Sequence, residues 1–221
     1  MKVTFSISKI TPPHLSQILH RPRLLNFLEK NQHKKLILMM GQAAQGKSTL
    51  AASYVKTSKI PSAWMNLGKE DSDAINLFYL TAQSLQYALD GIDLYDLLSY
   101  PLETMGPRSE IPLFQEWGQY MFEPISNPVQ IVMDGLDRLS SEATAFTFVQ
   151  VLLENAPPNV HLIILSREML PPSLEFEHLK MRQQASVLTN EDLAFTEDEI
   201  KEFFERIRRN SFNPDQLKKT Y

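Results

Sequence analysis

Leu36-Ile37-Leu38-Met39-Met40-Gly41-Gln42-Ala43-Ala44-Gln45-Gly46-Lys47-Ser48 is the stretch that decides the fold class. Its first five residues are apolar without alternation, as in a strand buried on both faces, and Gly41 stops the run. The next eight residues read G-x-x-x-x-G-K-S, the Walker A pattern. Each fixed residue in that pattern has a chemical reason. The glycines let the backbone turn tightly, so that successive N–H groups converge on a phosphate. Lys47 supplies a point charge for the β- and γ-phosphate oxygens of ATP, and the Ser48 hydroxyl is a ligand for Mg²⁺. The spacing predicts a helix from Lys47 to about Lys56, whose positive end adds to the field. A strand before the loop and a helix after it supply the context that this motif requires. Gly41, Gln42, Ala43, Ala44, Gln45, Gly46, Lys47, Ser48 and Thr49 are therefore the candidate nucleotide-binding residues, with ATP or ADP and Mg²⁺ as the ligands.

Working outward, Val129-Gln130-Ile131-Val132-Met133-Asp134 is an apolar run ending in an acid. That is the Walker B pattern, in which the acid stands at the strand end to hold the Mg²⁺ shell. Ser48 and Asp134 are thus the metal candidates, and Asp134 with Asp137 the catalytic candidates. Further strands are expected at Ser62–Leu67, Val160–Leu165 and within Ala185–Leu188. Helices are expected at Arg23–Lys30, Ser72–Leu89 and Glu142–Glu154, and in a last helix opened by a capping box at Thr196-Glu197-Asp198-Glu199. Gly91 to Pro112 is broken by Pro101, Gly106, Pro107 and Pro112 and yields no element. Strands alternating with helices at this spacing predict an α/β P-loop NTPase of the ASCE/AAA-like kind, a parallel five-stranded sheet with helices on both faces. Ser166-Arg167 closes the fourth strand. In P-loop proteins that insert a strand between the Walker strands, this end also faces the γ-phosphate. Arg167 then either senses nucleotide charge or caps a loop at the sheet edge.

The 221 residues suffice for one good-sized core, or for one core plus a small appendage. A net charge of −4 argues against direct nucleic-acid binding by this segment, which would need a basic face. There is no bilayer-spanning apolar run and no signal-peptide pattern, so no membrane role is expected. Cysteine is absent, which removes thiolate metal sites and thiol nucleophiles and fits a reducing, cytoplasmic home. The five histidines show no metal-ligand spacing. Phe195, Phe203 and Phe204 are expected to pack the last helix onto the sheet, and Trp64 to lie in the core.

Taken together, these residues resemble the ATPase domain of the STAND class of signal-transducing NTPases, in particular relatives of the maltose-regulon activator. The resemblance covers about residues 18 to 208. It is carried by Arg21-Pro22-Arg23-Leu24-Leu25, Gly46-Lys47-Ser48-Thr49-Leu50, Trp64-Met65-Asn66-Leu67 with Asp71 and Asp73, Val132-Met133-Asp134, Leu165-Ser166-Arg167 and Leu193-Ala194-Phe195-Thr196. It implies a switch in which ATP and an inducer favour an open, self-associating form and ADP a closed one. It also implies that Arg23 or Arg21 lies near the adenine and ribose, and that Arg167 is the γ-phosphate sensor. Two residues depart from the pattern: the family loop usually has proline and glycine where Gln42 and Ala44 stand. The family also tends to place two adjacent acids at Walker B, whereas Gly135 follows Asp134 here. Asp134-Gly135-Leu136-Asp137 resembles the NACHT branch of the same class.

The expected organisation is an N-terminal segment and helix at 1–32 contributing to the adenine side, an NTPase core at 33–209, and the start of a helical lid at 210–221. Asn213-Pro214-Asp215 reads as a fresh helix start close to the last residue, as in a truncated chain. C-terminal helical and sensor domains are accordingly expected partners that this chain lacks. The leading functional expectation is an ATP-binding, slowly hydrolysing switch of a signalling or transcription regulator. The alternatives are a NACHT-like defence or scaffold ATPase and a P-loop small-molecule kinase. The kinase would need an arginine-bearing lid, for which the sequence offers no candidate.

Overall fold

The five apolar runs become five parallel strands because each is followed by a segment that carries the chain back to the sheet's starting edge. In the computed structural model, which describes residues 5–16, 18–89, 92–94 and 110–211, the strands are β1 (Leu36–Met40), β2 (Ser62–Asn66), β3 (Val129–Asp134), β4 (Val160–Ser166) and β5 (Ala185–Leu188). They lie in the order β2-β3-β4-β1-β5. Every pair is parallel, with β4 between the two strands that carry the Walker motifs. The expected P-loop NTPase fold is therefore present.

The helices are α1 (Pro22–Asn31), α2 (Lys47–Thr57), α3 (Ala74–Ala88), α4 (Glu110–Phe122), α5 (Ala145–Asn155), α6 (Phe176–Met181), α7 (Asn190–Leu193) and α8 (Glu197–Ser211). Successive strand residues face opposite sides, and β1 shows how this builds two cores. Leu36 and Leu38 join one with Leu77 and Leu80 of α3, Phe114 of α4 and Phe148 of α5. Ile37 and Met39 join the other with Leu24 and Leu28 of α1 and Leu50 and Tyr54 of α2. Trp64 lies in the second core.

Three expectations change. The helix α4 was not foreseen, because Pro112 was read as a breaker. A proline in the first turn of a helix gives up an N–H that has no intrahelical partner anyway, and Pro112 is the third residue of α4. The helix earns its place through aromatic packing, with Phe78 and Trp117 rings 4.6 Å apart and Phe114 and Phe148 rings 5.6 Å apart. The helix expected from Ser72 begins at Ala74, because the Asp73 carboxylate accepts hydrogen bonds from the Ile75 and Asn76 N–H groups and caps it. Phe195, Phe203 and Phe204 do not pack into the sheet: all three are exposed. The Asn213-Pro214-Asp215 helix start lies outside the described residues.

Residues before α1 reach across to the edge strand. A 3-10 turn at Ile7–Lys9 sits by the end of β2, where Asn66 Nδ2 donates to Ser8 O at 2.7 Å and to Thr11 O at 2.8 Å. Lys9 Nζ pairs with Glu70 and, at 2.6 Å, with the buried Asp71 carboxylate. Burial opposes the Lys9 charge, but the hydrogen bonds to Asp71 and Glu70 outweigh it and raise the ammonium above its ordinary value of 10.5. Its stabilisation is thus fully present below that pH and is lost as pH climbs through the higher folded-state value. Lys9→Met leaves Asp71 buried beside an apolar group and is expected to lower unfolding free energy by about 3 kcal/mol. Urea melts of the variant check this, and Lys9→Arg should recover most of the loss.

Candidate functional site

The carboxyl ends of β1, β3 and β4 are tied to one another beyond the strands themselves. Gly41 N donates to Ser166 O at 3.1 Å, and Gly135 N donates to Leu165 O at 3.0 Å. The loops that leave β1 and β3 therefore start in fixed relation to the end of β4. A side chain at Gly41 would collide with the side chains of Gln45 and Leu193, so this strand end is closely covered.

Between β1 and α2 the loop bends back through two left-handed residues, Ala44 at φ 62° and Gly46 at φ 80°. Left-handed residues alternating with ordinary ones turn consecutive N–H groups to one side, which makes an anion nest. Gly46 fits that conformation at no cost. Ala44 carries a β-carbon into it, at the position where the resembled family has glycine, and holds roughly 1 kcal/mol of strain. Gln42 N donates to the Asn190 Oδ1 atom at 3.2 Å, so α7 braces the loop from the β5 side.

Lys47, the first residue of α2, is half-buried and folds back over its own loop. Its ammonium donates to Gly41 O and, at 2.9 Å, to Gln42 O. Burial lowers its pKa; the Asp137 and Asp134 carboxylates pull it back up, while Arg167 and Arg138 push it down. These five charged groups thus share one region of the strand ends. Ser48 is partly exposed beside Lys47, and Thr49 is exposed one residue further on. Asp134 is buried at the last position of β3. Asp137 accepts from Arg167 N at 3.0 Å, and its other oxygen lies 3.5 Å from Arg167 Nε. The turn that presents Arg167 is set by Ser166 Oγ, which donates to Glu168 O at 2.6 Å and accepts from Glu168 N at 3.1 Å.

A second feature adjoins the loop on its other side. Ile18, Leu19, Arg21, Gly46, Thr49 and Phe195 are among the residues that line a cavity of about 170 Å³. Arg21 and Arg23, both carried over from the resemblance, differ here. Arg21 is buried and its guanidinium lies 4.6 Å from the centre of the Phe195 ring. It donates to Leu193 O, Ala194 O and Glu199, while its Nε is buried with no hydrogen-bond partner among the described residues. Arg23 is not among the cavity's lining residues; it donates to Asp192 O, Ala194 O and Glu199. Burial by itself would raise the Glu199 carboxyl, but hydrogen bonds from Arg21, Arg23 and Thr196 N hold it below the ordinary value. The capping box expected at Thr196 and Glu199 is formed, with Thr196 N donating to Glu199 at 3.0 Å and Glu199 N to Thr196 at 3.3 Å.

Sequence reasoning missed Ile18, Leu19, Arg138 and Asn190 as neighbours of the loop and cavity. None carries a pattern of its own, and each arrives through tertiary packing. Phe195, expected to pack the last helix onto the sheet, instead lines the cavity. Among the described residues no three His, Cys, Asp or Glu side chains form a metal-holding group. A Mg²⁺ ion keeps waters and phosphate oxygens and needs only one or two protein oxygens, so Ser48 and Asp134 are a sufficient donor set for one. Also among the described residues, no helix is long and apolar enough to cross a membrane.

Comparison with known proteins bears on the fold and the family. The HTH-type transcriptional regulator MalT of Yersinia pestis is 27% identical over 202 residues, which is 90% of this chain and 21% of that protein. The regulator of the same name from Serratia proteamaculans is 26% identical with the same coverage. The chain thus spans about a fifth of the length of the curated relatives it matches. Among solved structures, a STAND protein with a tetratricopeptide repeat sensor from Pyrococcus horikoshii aligns with a TM-score of 0.56 at 19% identity, over 95% of this chain and 28% of that one. A Walker-type ATPase of Pyrococcus abyssi aligns with a TM-score of 0.55 at 15% identity, over 88% of this chain and 59% of that one. Both structural likenesses bear on the fold. With the sequence relatives they bear out the resemblance to P-loop NTPases of the STAND type. The model of the family described as Nephrocystin 3, N-terminal, matches residues 15–167, more than half of the sequence, and the chain belongs to that family.

Proposed function

We propose that this chain is the ATP-binding switch domain of a STAND-type signal-transduction or transcription regulator, with slow hydrolysis setting the lifetime of the ATP state. The observation that carries the reading is the gathering of Lys47, Asp134, Asp137 and Arg167 at the strand ends, beside an anion nest and a cavity. The names of the MalT relatives support a transcription regulator, and that of the Pyrococcus horikoshii protein supports signal transduction. Self-association in the ATP state, a cytoplasmic location and the division into an adenine-side segment, a core and a lid belong to the same proposal.

In this reading the loop from Gly41 to Ser48 wraps the phosphates, and Thr49 borders both them and the base cavity. Lys47 exchanges its bonds to Gly41 O and Gln42 O for phosphate oxygens, which relieves the cost of keeping a half-buried ammonium on neutral carbonyls. Ser48 and Asp134 would hold Mg²⁺, which supplies charge neutralisation at the phosphates. Arg21 takes the adenine and ribose side, because it lines the cavity and its Nε lacks an acceptor among the described residues; Arg23 supports it through the shared Glu199. Asp137 holds the Arg167 backbone and guanidinium in place, so Arg167 meets the γ-phosphate only by loosening or sharing that pair.

Lys47→Ala is expected to abolish ATP binding in titration calorimetry while shifting the melting temperature by only a few degrees, since it removes a desolvated cation rather than a core contact. Unchanged affinity in a folded variant removes Lys47 from the site. Arg167→Ala is expected to weaken ATP by about 1.5–3 kcal/mol and ADP by much less, because only ATP offers the terminal phosphate. Equal losses for both nucleotides would assign Arg167 to structure alone. Phosphate release from Mg²⁺-ATP is expected well below one per second, with Lys47→Ala as the blank. Gly135 stands where many P-loop ATPases place the acid that orients water, and no arginine finger of the kind that contributes 10³–10⁵ in rate is assigned. Release of several phosphates per second, reduced by Asp137→Asn, would overturn the slow switch and make Asp137 a competent base.

A further inference from the structure

Arg138 is the charged neighbour of Lys47 to which neither the motifs nor the resemblance gives a task. It ends a 3-10 turn, Leu136–Arg138, that folds it back over Gly135, with Arg138 N donating to Gly135 O at 2.9 Å. Its Nη1 donates to Leu67 O, just beyond β2, at 3.1 Å. Gly135 is at φ 93°, and a β-carbon built there would lie 2.8 Å from both Cζ and Nε of Arg138. Glycine at position 135 is required by the left-handed turn, and the end of the Arg138 side chain lies close over it, one residue from Asp134. A cation thus lies beside the position that follows the Walker B acid.

The charges around Lys47 point the same way. Arg167 is paired with Asp137, whereas Arg138 belongs to no ion pair among the described residues and meets a neutral carbonyl. A guanidinium carries five N–H donors in a rigid fork, so the bond to Leu67 O anchors it while leaving donors for an anion. Arg138 is also exposed, which keeps that edge open to a ligand.

We propose that Arg138 is a phosphate-binding residue supplied in cis, contacting the terminal phosphate of a bound nucleoside triphosphate. The proposal rests on the nucleotide reading above. It makes the departure from paired Walker B acids a functional exchange: the site trades an acid that would activate water for a cation that retains the triphosphate.

The test compares Arg138→Ala, Arg138→Gln and Arg138→Lys in the full chain, using calorimetric titration with Mg²⁺-ATP and Mg²⁺-ADP and a melting curve for each variant. Glutamine keeps a donor for Leu67 O and loses the charge; lysine keeps the charge. Alanine and glutamine are expected to weaken ATP roughly ten- to hundred-fold and ADP less than about threefold, with lysine recovering part of the loss. Glutamine binding ATP as tightly as wild type would show that Arg138 serves only to tether β2, and equal losses for ATP and ADP would likewise overturn the proposal. Wild type and Lys47→Ala set the reference. If wild type binds ATP and Lys47→Ala does not, a null result at Arg138 sinks this inference alone, whereas a wild type that binds no ATP removes the nucleotide reading and this one with it.

Discussion

Two backbone hydrogen bonds, Gly41 N to Ser166 O and Gly135 N to Leu165 O, fix the geometry on which the rest of the site depends. Each is worth only about 1 kcal/mol net; what matters is that they are made to adjacent carbonyls of the same central strand. β4 acts as a ruler between β1 and β3. Its Leu165 pairs with Met39 on one side and Asp134 on the other, so the Walker A loop and the Walker B acid leave the sheet at one level. A slip of one residue in either pairing would turn every alternate side chain to the other core, and would break specific contacts such as the Gln130 Nε2 bond to the Tyr54 hydroxyl and the His161 Nδ1 contact with Lys34 O. The buried alternation of the sheet thus sets the positions of charges that lie outside it.

Those charges are arranged with a deficit of negative partners. Lys47 rests on carbonyls, Arg138 rests on a carbonyl, and Arg21 keeps a buried Nε without an acceptor. Among the described residues, Asp137 and Arg167 are the two of the five charged groups around the loop that form an ion pair. A half-buried ammonium held by neutral dipoles, as Lys47 is, is costly to maintain, and an arriving anion would relieve that cost. The lowered Lys47 pKa reflects its burial, which the Asp137 and Asp134 carboxylates only partly offset.

How much of this was legible in the sequence follows from how local each feature is. β1, β3 and the phosphate loop were readable because an apolar run, a stop and a fixed spacing are all contained within a dozen or so residues. The sheet class followed from the alternation of such runs. The helix α4 was hidden because Pro112 has opposite meanings at a helix start and in a helix interior, and nothing nearby said which applied. Arg21 and Arg23 were brought to attention by resemblance, but which of them faces the cavity depends on Glu199 and Ala194, more than 170 residues further along the chain. Phe195, Phe203 and Phe204 read as packing residues because aromatic side chains on or beside an amphipathic helix generally are; their exposure is a tertiary outcome that no local pattern encodes.

The knot of Arg21, Arg23 and Glu199 ties the start of α8 to the segment that opens α1. Glu199 is nearly buried and accepts from both arginines while also capping α8 through Thr196. A buried triad of this kind adds little net stability, since desolvation offsets most of the attraction, but breaking it by removing one member leaves an uncompensated charge. Its effect is therefore on geometry more than on free energy. The segment that carries Arg21 also carries Ile18 and Leu19, so one wall of the cavity beside the phosphate loop is bolted to the first turn of the last described helix. Arg21 completes the connection by lying over Phe195, one residue before the capping threonine. Cavity wall and helix start share these atoms, and a displacement of either must move the other or break the triad.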